Sequence, residues 1–249
     1  MHGMLLIAYQ RLSKFLPASV SGKLDWRWFP ERADRFGGPF NGQTGRAAIF
    51  KEILKSIPFQ AIVETGTYLG TTTLFLQETA GLPVYTVEAV PRSFHYARAR
   101  LKSHQGVYSS LGDSRAFLTR LGTSAEVSHD RVFFYLDAHW HEDLPLAEEL
   151  EIIAGYWSDP VIMIDDFQVA DDSGYSFDDY GAGKRLTLEY LPKAISAGFQ
   201  VFWPALSGER ETGLRRGCIV AGRRIQAAKV LENLAVLRDA GIRSEPGAA

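Results

Sequence analysis

The stretch from Ala61 to Leu76, AIVETGTYLGTTTLFL, constrains the fold of this chain more than any other. Its apolar, β-branched beginning predicts a buried strand, and an apolar helical pattern starts at Thr71. Between them, Gly66 permits a sharp turn at the strand end and Gly70 permits a ligand to approach the main chain. The free N–H groups at the start of such a helix favour an anion. The pattern therefore favours a ligand-binding loop over an ordinary strand–loop–helix connection.

Two acidic residues follow the next two predicted strands. Glu88 ends the run 82–88, 22 residues after Gly66, where a carboxylate can accept hydrogen bonds from both hydroxyls of a ribose. Asp113 follows a strand-like run at 107–110, and its carboxylate can accept from an exocyclic amine such as that of adenine. The order of these acids predicts one extended adenosine ligand.

The position of Tyr68 separates two classes of adenosine ligand. Dinucleotide sites carry G-x-G-x-x-G, whose second glycine makes room for a pyrophosphate, and Tyr68 fills that position here. A dehydrogenase is therefore disfavoured. The series Glu64-x-Gly66-x-x-x-Gly70, Glu88 and Gly112-Asp113-Ser114 resembles the motifs of class I S-adenosylmethionine-dependent methyltransferases, over roughly residues 59–222. The resemblance implies that S-adenosyl-L-methionine is bound by Glu64, Gly66, Thr67, Tyr68, Gly70, Thr71, Glu88, Ala89, Asp113, Ser114 and Asp137.

Composition narrows the class of protein further. A formal net charge of −2 gives no electrostatic case for nucleic-acid binding. Cys218 is the only cysteine, so no intramolecular disulfide can form, and we expect a cytoplasmic protein. The sequence contains no apolar run of the ~18 residues that a membrane-spanning helix needs.

Strand and helix patterns alternate along the chain. They predict an α/β fold, a Rossmann-like seven-stranded doubly wound sheet that is mostly parallel. The last two predicted strands, 199–203 and 217–221, are joined by a hairpin-like connection, which predicts an antiparallel closing strand. The methyltransferase resemblance implies the same closure. Helices are predicted at 184–197 and, near the end of the chain, at 227–237.

We divide the chain into an N-terminal helical arm and cap (1–58), a methyltransferase core (59–222) and a C-terminal helix with a frayed tail (223–249). Residues 4–16 have the spacing of an amphipathic helix. Residues 1–35 carry six Lys or Arg against three Asp or Glu. Such an arm packs over its own domain or that of a homodimer partner, or contacts an anionic membrane.

Three aspartates follow two neighbouring predicted strands. Asp137 comes after the strand 131–136, and Asp165 and Asp166 come after 160–164. Adjacent parallel strands bring such residues to one edge of the sheet, and three carboxylates suit Mg²⁺ or another divalent cation. The alternative is that one of these aspartates caps a helix, another contacts the cofactor, and no metal is bound.

The constellation Asp137, Asp165 and Asp166 resembles the metal-dependent O-methyltransferases of the macrocin type, which act on sugars of natural products. The resemblance implies that these acids hold Mg²⁺ beside a sugar hydroxyl. A base must then take the hydroxyl proton, and His139 is the first candidate and His141 the second. Either histidine is alternatively a metal ligand, a packing residue or a surface residue.

Three further residues are predicted to bind the acceptor. Gln43 and Arg46 precede the core on a predicted helix that can lean over the cofactor pocket, although Arg46 is equally well a surface residue. Tyr180 belongs to the insertion 167–183, which is rich in Asp, Ser, Gly and Tyr and is either a substrate lid or a solvated loop.

The sequence thus predicts a metal-assisted O-methyltransferase with a glycan or small-molecule acceptor. Two alternatives stay open: a metal-independent small-molecule O- or N-methyltransferase of the same fold, and a non-catalytic module that binds an adenosyl ligand.

Overall fold

A single eight-stranded sheet organises the protein, in the order β3-β2-β1-β4-β5-β7-β6-β8. The structure is a computed structural model that describes Tyr9 and residues 13–139 and 143–241. Strands β1 to β5 are parallel, β7 pairs antiparallel with β5 and β6, and β8 pairs antiparallel with β6. The predicted fold class is confirmed, with one strand more than the seven expected. The strands are β1 Ala61–Thr65, β2 Val84–Glu88, β3 Val107–Leu111, β4 Val132–Leu136, β5 Val161–Ile164, β6 Phe199–Pro204, β7 Ile219–Arg223 and β8 Leu237–Asp239.

The central strands are buried on both faces, as their uninterrupted apolar sequences predict. Every residue of β1, β4 and β5 is buried. Because successive side chains of a strand point to opposite faces, Val63 and Phe134 lie in one hydrophobic core and Ile62 and Phe133 in the other. The sheet is therefore a middle layer whose carboxyl edge is free to carry polar side chains.

Helices cover both faces of the sheet. None in the described part of the chain has the length and apolar character required to cross a membrane. The helix predicted from Thr71 and the one predicted at Arg46 are both confirmed. The α-helices are α1 Ala18–Trp28, α2 Thr44–Ser56, α3 Thr71–Ala80, α4 Pro91–Arg100, α5 Ser114–Thr123, α6 Leu146–Tyr156, α7 Lys193–Gly198 and α8 Ala227–Leu231.

The N-terminal segment packs over its own domain through α1. The hydroxyl of Tyr96, on α4, donates to the carbonyl oxygens of Phe29 at 3.1 Å and Pro30 at 3.0 Å. Arg92 on the same helix donates to the carboxylate of Asp25 at 2.6 Å. The helix predicted over 4–16 falls largely outside the described residues, and Ser13–Phe15 form a short 3₁₀ turn.

Two predicted helices are wrong in extent. The one predicted at 184–197 begins only at Lys193, because Pro192 keeps Leu191 out of the helical region and residues 184–187 are extended beside the preceding loop. The helix predicted at 227–237 ends at Leu231. Leu237 instead begins β8, which covers the edge of β6. An apolar residue at helical spacing fits a strand equally well when a sheet edge lies open beside it.

Candidate active site

The two glycines of the predicted ligand-binding loop (66–70), called the cofactor loop below, are required by the protein's own packing. Gly66 has φ +88°, and a Cβ there would lie 2.2 Å from the carbonyl oxygen of Asp137. Gly70 has φ +79°, and its Cβ would lie 2.9 Å from the Leu101 side chain. The missing side chain of Gly70 thus makes room for Leu101, and the approach of a ligand to its main chain stays a prediction. Tyr68, in the left-handed region at φ +46°, lies beside Phe36 with ring centroids 5.9 Å apart.

The N-terminal segment also holds the far end of this loop. The hydroxyl of Thr71 donates to the carbonyl oxygen of Ala33 at 2.7 Å. Arg100 donates to the Thr71 hydroxyl at 2.6 Å and to the carbonyl oxygen of Leu69 at 3.2 Å. The start of α3 is therefore positioned both by Ala33, which precedes the core, and by Arg100 on α4.

Glu64 is a fully buried carboxyl group at the end of β1. Its Oε2 accepts hydrogen bonds from the hydroxyls of Thr73 at 2.5 Å and Thr86 at 2.7 Å. Its Oε1 is buried and has no hydrogen-bond partner in the part of the chain that the structure describes. Burial raises the pKa of Glu64 to about 7, against the opposing effect of the two threonine hydrogen bonds. A buried acceptor without a donor favours a ligand that brings one.

Glu88 lies at the end of β2, as predicted, and also binds the backbone of the cofactor loop. Its carboxylate accepts from the backbone N–H of Tyr68 at 2.6 Å and of Val90 at 2.8 Å. Burial raises its pKa, and backbone N–H groups, that of Ala89 among them, oppose the shift. The hydroxyl of Thr67 contacts that of Thr86 at 2.6 Å. Since a carboxylate has about four acceptor sites, Glu88 keeps capacity for ribose hydroxyls.

Asp113 is the N-cap of α5. It accepts from the backbone N–H of Arg115 at 2.9 Å and of Ala116 at 3.2 Å, and it pairs with the Arg115 side chain. The hydrogen bond from Arg115 lowers its pKa. Its described partners are therefore protein groups, and its contact with an adenine amine stays a prediction. The adjacent Ser114 is buried beside Glu149, a buried carboxyl whose pKa burial raises to about 7 and which the sequence analysis missed.

Asp137, His139 and Asp166 meet at the carboxyl edge of the sheet. One ligand atom from each lies within 4.8 Å of the others. The Nε2 of His139 is 3.9 Å from Oδ1 of Asp137 and 3.9 Å from Oδ2 of Asp166. It is buried and has no hydrogen-bond partner among the described residues. Burial and the charge of Asp166 raise the pKa of Asp137 well above its usual range. Burial lowers the pKa of His139. A cation would offset the repulsion between the carboxylates.

Asp165 does not join this group, contrary to the prediction. Its carboxylate is fully buried, pairs with the guanidinium of Arg46 and accepts from the hydroxyl of Tyr135. The N–H of Asp166 donates to it at 2.6 Å. The backbone turns sharply here, with φ +53° at Asp166, so the two neighbouring carboxylates point to different places. His139, predicted as the base, takes the third position that Asp165 was expected to occupy.

Gln43 and Arg46 also have structural partners instead of an open pocket. Arg46 is 1% exposed, and besides Asp165 it donates to the carbonyl oxygens of Arg216 and, at 3.1 Å, Gly217. The Gln43 side chain binds both backbone groups of Arg216, each at 2.8 Å. These residues therefore join the start of α2 to the segment before β7. His141, the second candidate base, lies outside the described residues.

Arg216 links the group of Asp137, His139 and Asp166, called the acid cluster below, to the loop 167–183. Its Nε donates to Oδ1 of Asp166 at 2.6 Å, and its Nη2 pairs with Asp178. The backbone N–H of Asp178 donates to the carbonyl oxygen of Asp166 at 2.9 Å, and the hydroxyl of Tyr180 donates to the Asp178 carboxylate. The loop is thus bound to the site through the Arg216 guanidinium and through the backbone hydrogen bond between Asp178 and Asp166. The sequence pattern that could have indicated this contact is Arg216 directly before a closing strand, in a chain whose loop 167–183 is acidic.

The chain matches no protein-family model and no curated protein sequence. It does match solved structures. An O-methyltransferase from Bacillus cereus in complex with SAH is 17% identical, with a TM-score of 0.55 over 88% of this chain and 97% of that one. The cofactor-bound protein Rv0187 from MTB is 18% identical, with a TM-score of 0.54 over 84% and 91%. An O-methyltransferase candidate from Klebsiella pneumoniae is 19% identical, with a TM-score of 0.55 over 87% and 96%. The chain therefore shares the Rossmann-like fold of these solved structures.

Proposed function

We propose that the protein is an S-adenosylmethionine-dependent O-methyltransferase that holds a divalent cation at Asp137, His139 and Asp166. The observation that carries the proposal is this cluster, at the carboxyl edge of a methyltransferase fold and next to a cofactor loop. In open α/β sheets, ligands bind in the crevice at this edge. The likeness to O-methyltransferases of the same fold supports the reaction class.

The residues of the cofactor loop fit S-adenosylmethionine. Glu64 offers a buried oxygen without a partner to an ammonium group, and Glu88 offers spare acceptor sites to a ribose. At Gly112 a Cβ would meet no atom within 4 Å, which leaves space for a planar base after β3. When bound, the cofactor supplies an electrophilic methyl group. The chain's part is to neutralise the ligand's ammonium and to fix its orientation.

The cluster also fits a divalent cation. Two carboxylates and one neutral imidazole form a plausible donor set, and the lowered pKa of His139 keeps its imidazole neutral at pH 7. A cation there acts as a Lewis acid that lowers the pKa of an acceptor hydroxyl. An imidazole ligand makes Mn²⁺ as good a candidate as the Mg²⁺ predicted from three carboxylates.

The identity of the base depends on the cation. With His139 as a ligand, His141 stays the predicted base. Without a cation, His139 is itself the candidate base, because the Asp166 carboxylate 3.9 Å away stabilises its protonated form. A specific observation favours this second, metal-independent function: Arg216 already neutralises one oxygen of Asp166.

A sugar or another polyhydroxylated molecule is the proposed acceptor. The loop 167–183 adjoins the cluster through Arg216 and brings Asp178 and Tyr180 near it. Carboxylates bind sugar hydroxyls, and an aromatic ring stacks on the apolar face of a sugar. This proposal rests on the proximity of the loop and on its composition.

The test is transfer of a radiolabelled methyl group from S-adenosylmethionine to a panel of hydroxylated acceptors, with and without EDTA. We expect chelation to abolish transfer and Mn²⁺ or Mg²⁺ to restore it. Asp137→Asn and Asp166→Asn should lose transfer, whereas Asp34→Asn, an exposed aspartate outside the site, should retain it. Full activity in EDTA would support the metal-independent function. Calorimetric binding without turnover would support a non-catalytic module, and failure to bind the cofactor would overturn the proposal.

A further inference from the structure

A basic groove lies between α1, the end of α4 and the edge strand β3. It has a volume of about 700 Å³ and is formed by α1, by the end of α4 with the turn after it, and by the edge strand β3. Lys23, Arg98 and Lys102 supply three cations, and none of the residues that line it is acidic. The other lining residues are His95, Ala99, Leu101, His104, Gln105, Val107 and Ser109.

The cations of this groove have no counter-charge. Within the described residues, the ion pairs of this region are made by Asp25, which binds Arg32 and Arg92, and none involves Lys23, Arg98 or Lys102. The chain as a whole has a net charge of −2, so the positive groove is a local feature and not a consequence of composition. Like charges gathered without a partner repel one another, and an anion in the groove would remove that cost.

His95 shows that the cations converge. Its pKa is lowered by burial first and then by the charges of Lys23 and Arg98, which come from two different elements, α1 and α4. The Nδ1 atom of His95 is buried and has no hydrogen-bond partner in the described structure. Gln105 and Ser109 add neutral donors to the lining. Several cations with neutral donors are the arrangement that binds a compact, multiply charged oxyanion.

We propose that this groove binds a phosphate group, as a second site separate from the methyl-transfer site. Val107 and Ser109 are in the first half of β3, whereas the proposed cofactor site adjoins the end of that strand, after Leu111. The side chain of Leu101 lies between the groove and Gly70 of the cofactor loop. A phosphate in the groove can therefore be bound without displacing the cofactor.

The phosphate can belong to a soluble molecule or to a lipid headgroup, and the test distinguishes them. The lipid source is included because α1 exposes Val20 and Trp28, which are 42% and 43% accessible. Side chains of this kind enter the interface of an anionic membrane next to basic residues.

The first experiment titrates the protein with inorganic phosphate and pyrophosphate and follows the imidazole NMR signals of His95 and His104. We expect both signals to shift in a saturable, salt-sensitive way. The variant Lys23→Gln/Arg98→Gln/Lys102→Gln should bind roughly tenfold more weakly or worse. A matched variant that removes three exposed lysines elsewhere, Lys55→Gln/Lys193→Gln/Lys229→Gln, should bind like the wild type. All six side chains are exposed, and equal melting temperatures verify that the variants fold.

The second experiment measures co-sedimentation with vesicles of phosphatidylcholine alone or with phosphatidylglycerol. Binding to the anionic vesicles that the groove variant loses and the control variant keeps would assign the phosphate to a lipid. Binding of soluble phosphates alone would assign it to a soluble molecule. No binding of either, or equal losses in the groove and control variants, would overturn the proposal. Methyl transfer is expected to persist in the groove variant, so failure here is distinguishable from failure of the proposed function.

Discussion

The buried carboxyl of Glu64 makes cofactor binding depend on pH in a direction that can be measured. Its pKa is about 7, and its Oε1 has no partner within the described structure. If that oxygen accepts from the ammonium group of S-adenosylmethionine, then the ionised form of Glu64 is the form that binds. Binding near pH 6 must therefore expel a proton from this side chain.

The size of the effect follows from the pKa. With a pKa of about 7, roughly one molecule in ten is ionised at pH 6 and roughly nine in ten at pH 8, so the apparent affinity should rise about tenfold over this range. Glu64→Gln keeps an acceptor of the same shape but cannot titrate. The variant should bind more weakly at pH 8 and should lack this tenfold change.

Isothermal titration calorimetry at pH 6, 7 and 8, in pairs of buffers with different ionisation enthalpies, measures both the affinity and the protons released. The ligand's own amino group titrates near pH 8, but it does so equally with the wild type and with Glu64→Gln. The difference between the two proteins therefore isolates Glu64. Identical pH profiles for both, or an affinity that rises as the pH falls, would refute the reasoning.

Three further predictions concern the scaffold of the site. Arg46→Met should lower the free energy of unfolding by about 3–5 kcal/mol because it leaves Asp165 buried without its counter-charge. Adding Asp165→Asn should recover part of the loss, and urea denaturation measures both variants. An Arg46→Met variant as stable as the wild type would contradict the buried ion pair. Gly66→Ala should lower the melting temperature and weaken cofactor binding, since its Cβ would lie 2.2 Å from the Asp137 carbonyl oxygen at φ +88°; unchanged values in differential scanning calorimetry would count against this packing. Glu149, with a pKa raised to about 7, binds its proton more tightly in the folded state than in the unfolded state. The free energy of unfolding should therefore fall by about 3 kcal/mol as the pH rises from 4.5 to above 7. Glu149→Gln should remove this dependence on pH, and an equal dependence in both proteins would refute the prediction.

The sheet could be predicted from sequence because its central strands carry an unambiguous signal. The runs that became β1, β4 and β5 are short, apolar and bounded by polar residues, and burial on both faces leaves no other arrangement for them. Asp137 and Asp166 could be placed together by the same reasoning, because parallel strands end at one edge. The eighth strand could not be predicted in this way. Leu237 fits a helix by its spacing, and it begins a strand only because the edge of β6 is open beside it.

The directions of the site's side chains could not be predicted in the same way. Asp165 and Asp166 are neighbours in the sequence, and only the positive φ of Asp166 and the buried Arg46 decide which of them faces the crevice. The Nε2 of His139 lies between two carboxylates, and one of them, that of Asp166, belongs to the next strand end along the sheet. Local patterns identify which residue types reach an edge, whereas tertiary contacts determine which atoms meet.

The contact of Arg216 with both Asp166 and Asp178 makes the loop 167–183 and the acid cluster parts of one equilibrium. A molecule that rearranges the loop changes how much of the guanidinium's charge reaches Asp166, and a cation at Asp166 changes how firmly the loop is held. Thermodynamic reciprocity requires these two effects to be equal in size. An acceptor that doubles the affinity for the cation is therefore itself bound twice as tightly when the cation is present, with no contact between the two ligands required.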